Sequence, residues 1–265
     1  MSAARPPVFA ALVAAAALAG CARHGPLRID TSVQAASQDS RVRQVVLHYT
    51  SAGLDRSLAL LSRGGVSSHY LITDQSPPRV YRLVDETRSA WHAGQSQWYG
   101  RTWLNGTSIG IEIVNGGWHA GPDGEPLWEP YAEPQILTLI ALLRDIVQRH
   151  GIEPRNIVGH SDVAPGRKQD PGPLFPWRRL AQAGLGRWYD EAAAEARRAR
   201  LEREGLPDIA WFQAALARAG YAVPDTDTLD APTRAALRAF QMHYRPERCD
   251  GLPDTGTAAI LESLD

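Results

Sequence analysis

At 265 residues, with 44% hydrophobic and 22% charged side chains, the chain has the makeup of an ordinary globular protein and not of a disordered one. Its length suits one medium domain plus a small one, or a single large domain. A formal net charge of −1 provides no global field to draw nucleic acid or an acidic membrane as the main partner. Tryptophan is the unusual residue, with eight copies. Indole faces line sugar-binding grooves and also fill cores, so the count alone does not choose between the two.

Residues 1–20 read as a secretory signal. A single Arg5 precedes an apolar run from Val8 to Ala19, too short to span a bilayer, and small residues follow. Leu18-Ala19-Gly20-Cys21 resembles the bacterial lipobox. The resemblance implies cleavage before Cys21 and acylation of both its sulfur and the new amino terminus. Two or more acyl chains anchor a protein stably, so the mature chain is expected to be tied to a membrane without crossing it. Ala22 is not an acidic retention residue of the kind associated with inner-membrane lipoproteins, which points to an outer membrane and its periplasmic face. The alternative is a plain signal peptide followed by an incidental Cys. With Cys21 lipidated, Cys249 is the sole free thiol and no intramolecular disulfide can form.

Residues 21–40 lack periodicity and read as a tether. From Arg41 the texture changes. "VRQVVLHYT" alternates as a strand, with Val46, His48 and Thr50 on one face. "LDRSLALLSRGG" spaces Leu54, Leu58 and Leu61 as a helix and stops at a glycine pair. "SSHYLIT" and "RVYRLV" read as strands around the turn-rich "DQSPP". In "SIGIEIVNGG", Ile109, Ile111 and Ile113 share one face and Glu112 takes the other. A helix is predicted from near Pro134, with a stripe of Ile136, Leu139, Ile140, Leu143 and Val147, ending at Gly151. "NIVGH" is the last strand of this region. Strands alternating with helices predict one α/β domain over residues 41–183. Residues 184–205, Ala-rich and charged, predict a solvated helical linker. Residues 206–265 predict three short helices around Phe212, Leu216, Leu237 and Phe240.

His48 lies near the end of one strand, Glu112 within another, and His160 at the end of a third, so the three can meet on one face. Asp170 and Lys168 sit in the Pro/Gly-rich loop "GHSDVAPGRKQDPG" after His160. Two His, one carboxylate and an open position form the ligand set of a catalytic zinc. Two His in a sheet protein also serve purely structural ends, and spacing alone leaves that choice open.

The wording of the motifs narrows it. "GHSDVAPGRKQDPGPLFPW" resembles the signature loop of the type-2 N-acetylmuramoyl-L-alanine amidases, a zinc family that includes peptidoglycan recognition proteins and T7-type lysozyme amidases. "VVLHYT", "SSHYLI", "AWHAG" and "SIGIEIVN" match further blocks in order, over roughly residues 41–183. The resemblance implies a single mixed sheet flanked by helices and cleavage of the amide between the lactyl group of N-acetylmuramic acid and L-alanine of the stem peptide. It places the zinc ligands at His48, His160 and Asp170, not at Asp162, the carboxylate nearer His160. It makes Glu112 the acid that activates water and Lys168 the cation that stabilises the oxyanion. His69 and His92, also in matched blocks, are expected either to line the groove or to serve structure. His24, His119, His150 and His243 have no motif context and are expected at the surface.

"WFQAALARAGY", "LDAPTRAALRAFQ" and "CDGLPDTGTAAIL" resemble a peptidoglycan-binding-like three-helix domain, with "MHYRPERCDG" longer than the usual connection. The layout resembles that of outer-membrane lipoprotein amidases. Peptidoglycan or muropeptides are the implied partners, and nothing demands more than a monomer. The competing reading is a non-catalytic wall-binding lipoprotein; such proteins typically lose a ligand or the acid, and this chain has all five residues.

Overall fold

The computed structural model describes residues 27–264, which fall into two units, 27–38 and 39–264. The signal segment, Cys21 and His24 lie outside the described residues. Residues 27–38 are exposed and carry neither helix nor strand. No helix among the described residues is long and apolar enough to cross a membrane.

The second unit begins with strand β1 (Gln44–Tyr49), helix α1 (Leu54–Arg63), β2 (Tyr70–Ile72) and β3 (Val80–Arg82). A small hairpin of β4 (Gln97–Trp98) and β5 (Arg101–Thr102) precedes β6 (Ser108–Ile113), and a second hairpin pairs β7 (Trp118–Ala120) with β8 (Pro126–Trp128). Helix α2 (Glu133–His150), β9 (Ile157–Gly159), the one-turn α3 (His160–Val163) and α4 (Trp177–Gln182) follow. The chain closes with α5 (Glu191–Glu204), α6 (Ile209–Ala219), α7 (Ala231–Tyr244) and α8 (Thr255–Leu261).

The main sheet has the order β3-β2-β6-β1-β9, with β2, β6, β1 and β9 parallel and β3 antiparallel to β2. This is the mixed sheet flanked by helices that the sequence implied. Parallel strands are covered on both faces, and the near-continuous burial of β1 and β6 reflects that. One face packs on α2 through Ile136, Leu139, Leu143 and Ile146, all essentially inaccessible. Fully burying each such side chain contributes about 1.5–3 kcal/mol. Ile146, not Val147, completes the buried stripe; Val147 is only partly covered. Gly151, at φ +66°, ends α2 in the left-handed conformation that a side chain disfavours.

The opposite face meets the C-terminal helices. Val46, Val158, Val163, Ala93, Trp98 and Leu104 belong to the same hydrophobic cluster as Phe212, Leu216, Leu237 and Phe240. Aspartates cap four successive helices: Asp190 accepts from Ala193 N–H, Asp208 from Trp211, Asp230 from Thr233 and Asp254 from Thr257. The Ala-rich stretch expected as a solvated connector is helical, but it is not free: α5 buries Ala194 and Leu201 within this cluster, and Arg200 pairs with Glu262 just past α8. Its alanines are small enough to let α8 approach, which the charge-rich composition hid.

Two further expectations change. His243, placed at the surface from its lack of context, is buried on α7, stacked on Trp177 with ring centroids 3.8 Å apart. His150 is half-buried, hydrogen-bonded to Glu86 and to Ser40. His119 is exposed as expected.

Candidate metal centre

Strands β1, β6 and β9 run parallel, so their carboxyl ends share one edge of the sheet, where ligand sites in such sheets form. His48 pairs in register with Glu112, and Leu47 with Gly159, which sets His160, the next residue, beside His48. Register alone therefore brings together three side chains spread over more than a hundred residues of sequence. The loop after α3 returns to the same edge. Ser161 N–H donates to Asp170 C=O at 2.8 Å, Lys168 N–H to Ala164 C=O at 3.1 Å, and Gly159 N–H to the Asp162 carboxylate at 2.7 Å. These bonds, together with the prolines and glycines, fix Asp170 against the two imidazoles.

His48, His160 and Asp170, all buried, offer ligand atoms that lie within 4.8 Å of one another. Asp170 Oδ2 is 2.8 Å from His48 Nδ1 and 3.0 Å from His160 Nδ1. Proton positions follow from the partners. The Ser108 hydroxyl donates to Leu104 C=O at 2.6 Å and so accepts from His92 Nε2–H at 3.1 Å. That leaves His92 Nδ1 to accept from His48 Nε2–H at 3.0 Å. His48 Nδ1 is then a bare lone pair. Likewise His160 Nε2–H donates to Ala93 C=O at 3.1 Å, leaving its Nδ1 unprotonated. Two lone pairs and a carboxylate oxygen converge with no proton between them, an arrangement that repels itself unless a cation lies among them. The donor set fits a divalent metal that accepts imidazole nitrogen and carboxylate oxygen.

The electrostatics agree. Burial and the neighbouring His160 lower the pKa of His48 to about 4, favouring the neutral, ligating imidazole. Burial alone would raise the pKa of Asp170, so with both facing nitrogens unprotonated its carboxylate needs a cation beside it to stay charged. Glu112 lies beside this cluster and makes no contact with a protein donor at Oε2, which is fully enclosed. Burial, reinforced by the Asp170 charge and opposed by Lys168, pushes its carboxyl well above the carboxylate range. A carboxylate so placed is a stronger base than one in water. His48, Glu112, His160, Lys168 and Asp170 all line one cleft of about 430 Å³, together with Tyr49, Trp91 and Trp118.

The two histidines left undecided in the sequence separate here. His92 fixes the tautomer and ring plane of His48. His69 is structural: its Nδ1 accepts from Gly110 N–H at 3.0 Å and its Nε2–H donates to Arg88 C=O at 3.1 Å. Gly110 explains how His92 reaches its place, since a Cβ there would stand 2.4 Å from the His92 ring. A lone glycine inside a strand was the available sign of that close approach.

Arg167 escaped the sequence reading. Its Nη2 donates to Ala93 and Gln95 C=O, each at 2.6 Å, bracing the backbone carbonyl that also orients His160. Asp162, set aside as a ligand, is fully buried and accepts from Tyr221 O–H at 2.7 Å and His243 Nδ1 at 2.8 Å. It is a structural tie between the site loop and the C-terminal helices, and no feature of the sequence announced it.

Comparisons with known proteins bear on this geometry. A family profile described as N-acetylmuramoyl-L-alanine amidase matches residues 38–173, and one described as a putative peptidoglycan binding domain matches residues 205–261. The chain is 43% identical over 267 residues to the N-acetylmuramoyl-L-alanine amidase AmiD of Escherichia coli, covering 97% of this chain and 96% of that protein. The solved structure of that amidase in complex with anhydro-N-acetylmuramic acid-L-Ala-D-γ-Glu-L-Lys superposes with a TM-score of 0.82 at 42% identity, covering 90% of this chain and 94% of that one. AmpDh3 of Pseudomonas aeruginosa, solved with an anhydromuramic pentapeptide, gives 0.83 at 44% identity, covering 90% and 97%. Similarity of this extent over both parts of the chain joins the sheet, the cleft and the C-terminal helices in one assignment: the chain belongs to the type-2 N-acetylmuramoyl-L-alanine amidase family.

Proposed function

We propose that this amidase cuts the lactyl–L-alanine amide of peptidoglycan or muropeptides with a zinc ion held by His48, His160 and Asp170, with Glu112 as proton carrier and Lys168 as oxyanion partner. The observation that carries the reading is the convergence of three lone-pair donors whose far nitrogens are already committed to His92 and Ala93. Bound there, zinc would supply Lewis acidity, lowering the pKa of a water to roughly 7.

The protein's own groups supply the rest. The amide is hard to cut because its carbonyl is a weak electrophile and its amine a poor leaving group. Glu112, made more basic by burial, takes a proton from the attacking water and delivers it to the departing amine of L-alanine. Lys168, on the cleft wall with Glu112 and Asp170, faces the carbonyl oxygen as it gains charge. One well-placed donor of this kind contributes about 3 to 4 kcal/mol to the transition state. The non-catalytic wall-binding alternative is disfavoured because all five residues are present and all line the one cleft.

The same reading makes residues 41–183 the amidase domain and 206–265 a wall-binding domain with α5 as its connection, in a monomer. Lipidation at Cys21 would hold the enzyme on the outer membrane, facing the periplasm, within reach of the wall; Cys21→Ala then moves the protein to the soluble fraction. The muropeptide complexes of the two relatives support the substrate class.

The deciding experiment incubates residues 22–265 with peptidoglycan fragments, with and without a chelator, and reads the products by mass spectrometry. Stem peptides with a new free amine on L-alanine, lost on chelation and restored by zinc, are expected. No release from a zinc-loaded protein would overturn the substrate, and release indifferent to the chelator would overturn the metal.

A further inference from the structure

A cavity of about 240 Å³ lies at the seam where the loop between His160 and Asp170 meets helix α7. Lys168 and Gln169 wall it from the loop, Arg234 and Arg238 from the helix. Gly166 lets the two lie so close: it sits at φ +77°, and a Cβ there would stand 3.1 Å from the Ala235 Cβ. Positions 234 and 238 are one helical turn apart, so both guanidinium stems rise from one face of α7. Lys168 and Gln169 also line the catalytic cleft, which makes the loop a wall shared by the cavity and that cleft.

The charges in this cavity are unbalanced. Among the described residues, the side chains of Lys168, Arg234 and Arg238 have neither an ion-pair partner nor a hydrogen-bond acceptor within the protein, and Arg238 Nε is fully enclosed as well. Like charges four residues apart on a helix destabilise it, and an enclosed N–H without an acceptor adds to the cost. Asp250 is the one carboxylate on the wall; it accepts from Arg248 Nε and from Leu252 N–H, each at 2.9 Å. Counting its charge in full against the three cations still leaves two positive charges unmatched. Guanidinium groups present N–H forks that fit carboxylate and phosphate oxygens. No aromatic side chain lines the cavity, so it lacks the flat face on which a sugar ring stacks. The small volume and the two unmatched charges favour a compact dianion over a single carboxylate, and a phosphate group is close to doubly charged at neutral pH.

We infer that this cavity is an anion site for a phosphate group, free or carried by a small phosphomonoester, held by Arg234 and Arg238 with Lys168 as the third contact. Its consequence for catalysis rests on the amidase reading above. Lys168 serves both the cavity and the cleft, so a bound dianion draws its ammonium away from the developing oxyanion and slows turnover. Phosphate is then an inhibitor that lowers kcat and leaves KM little changed, because the cleft itself stays open to substrate.

The test titrates inorganic phosphate, and separately glycerol phosphate, into the zinc-loaded protein by calorimetry, with ionic strength held constant by chloride. Binding should weaken about tenfold or more in Arg238→Gln and in Arg234→Gln, and recover in part in Arg238→Lys, which keeps the charge. Arg218→Gln, the same charge change at an exposed position of α6, should leave it unaltered. The tighter of the two ligands tells free phosphate from a monoester. Inhibition by phosphate should disappear in Arg238→Gln, whose turnover without phosphate stays near that of the wild type. Binding indifferent to both arginines would overturn the site, and so would equally tight binding of acetate. Inhibition that persists in Arg238→Gln would put the phosphate on the metal and overturn the link through Lys168. Arginine-dependent binding in a protein that hydrolyses nothing would uphold the site and remove the amidase reading instead.

Discussion

Asp162 and His243 meet in the interior, carboxylate to Nδ1 at 2.8 Å, and so fasten the turn that follows His160 to helix α7. Asp162 also accepts from Tyr221 O–H and Gly159 N–H, so one side chain satisfies three buried donors from two regions of the chain. Removing it strands all three, and each buried unsatisfied donor costs about 1–3 kcal/mol. Asp162→Ala is expected to lose about 3 kcal/mol or more in denaturant unfolding, against about 1–3 kcal/mol for His243→Ala. A loss below about 0.5 kcal/mol for Asp162→Ala would show that the two regions do not depend on this tie.

The fold was legible wherever period and punctuation were strong. The alternation in "VVLHYT" and "SIGIEIVN" gave β1 and β6 together with the faces of His48 and Glu112, and the stripe from Ile136 to Leu143 gave α2. What stayed hidden was pairing between distant segments. His243 looks like any helical histidine until Trp177 stacks on it and Asp162 accepts from it. Arg167 works through backbone carbonyls, which carry no side-chain signature. The proposed ligands His48, His160 and Asp170 emerged from motif wording, while the chain Ser108–His92–His48 that sets the His48 proton shows only in the folded chain.

That chain makes a prediction of its own. His92 accepts from His48 Nε2–H, so replacing it by Phe removes the acceptor that keeps His48 Nδ1 free. Partners of metal-bound histidines typically contribute 10–100-fold in metal affinity or activity. Zinc affinity of His92→Phe, measured by chelator competition, is expected to fall by about that factor, with Ser108→Ala giving a smaller loss. Unchanged affinity in His92→Phe would mean that packing alone orients His48.

Acid sensitivity has a defined source at the far end of α2. Burial disfavours the Glu86 carboxylate, but hydrogen bonds from Arg149, Tyr70 and His150 outweigh it and bring its pKa down to about 2. A folded-state pKa below the unfolded value means stability that is present above about 4.5 and is lost as pH falls through about 2. Wild-type protein is expected to lose stability between pH 5 and 2 more steeply than Glu86→Gln. Parallel pH profiles of the two proteins would show that Glu86 is not a source of that loss.

The last prediction separates holding the metal from moving the proton. Asp170 touches both imidazoles at their unprotonated nitrogens, whereas Glu112 stands beside them with Oε2 free. Asp170→Ala removes one of three converging donors and is expected to abolish zinc retention and cleavage together. Glu112→Gln preserves shape and leaves the three donors in place, so zinc content should stay near one per chain. Turnover should nevertheless fall by about 10²-fold or more, because an amide cannot accept the water's proton. The burial that raises the Glu112 pKa also predicts that Glu112→Gln will not be less stable than wild type, since it removes a charge that the site desolvates. Metal analysis, turnover and unfolding on the same two variants give each residue a distinct signature. Near-normal turnover in Glu112→Gln, or a zinc-loaded and active Asp170→Ala, would exchange or cancel the roles assigned to them.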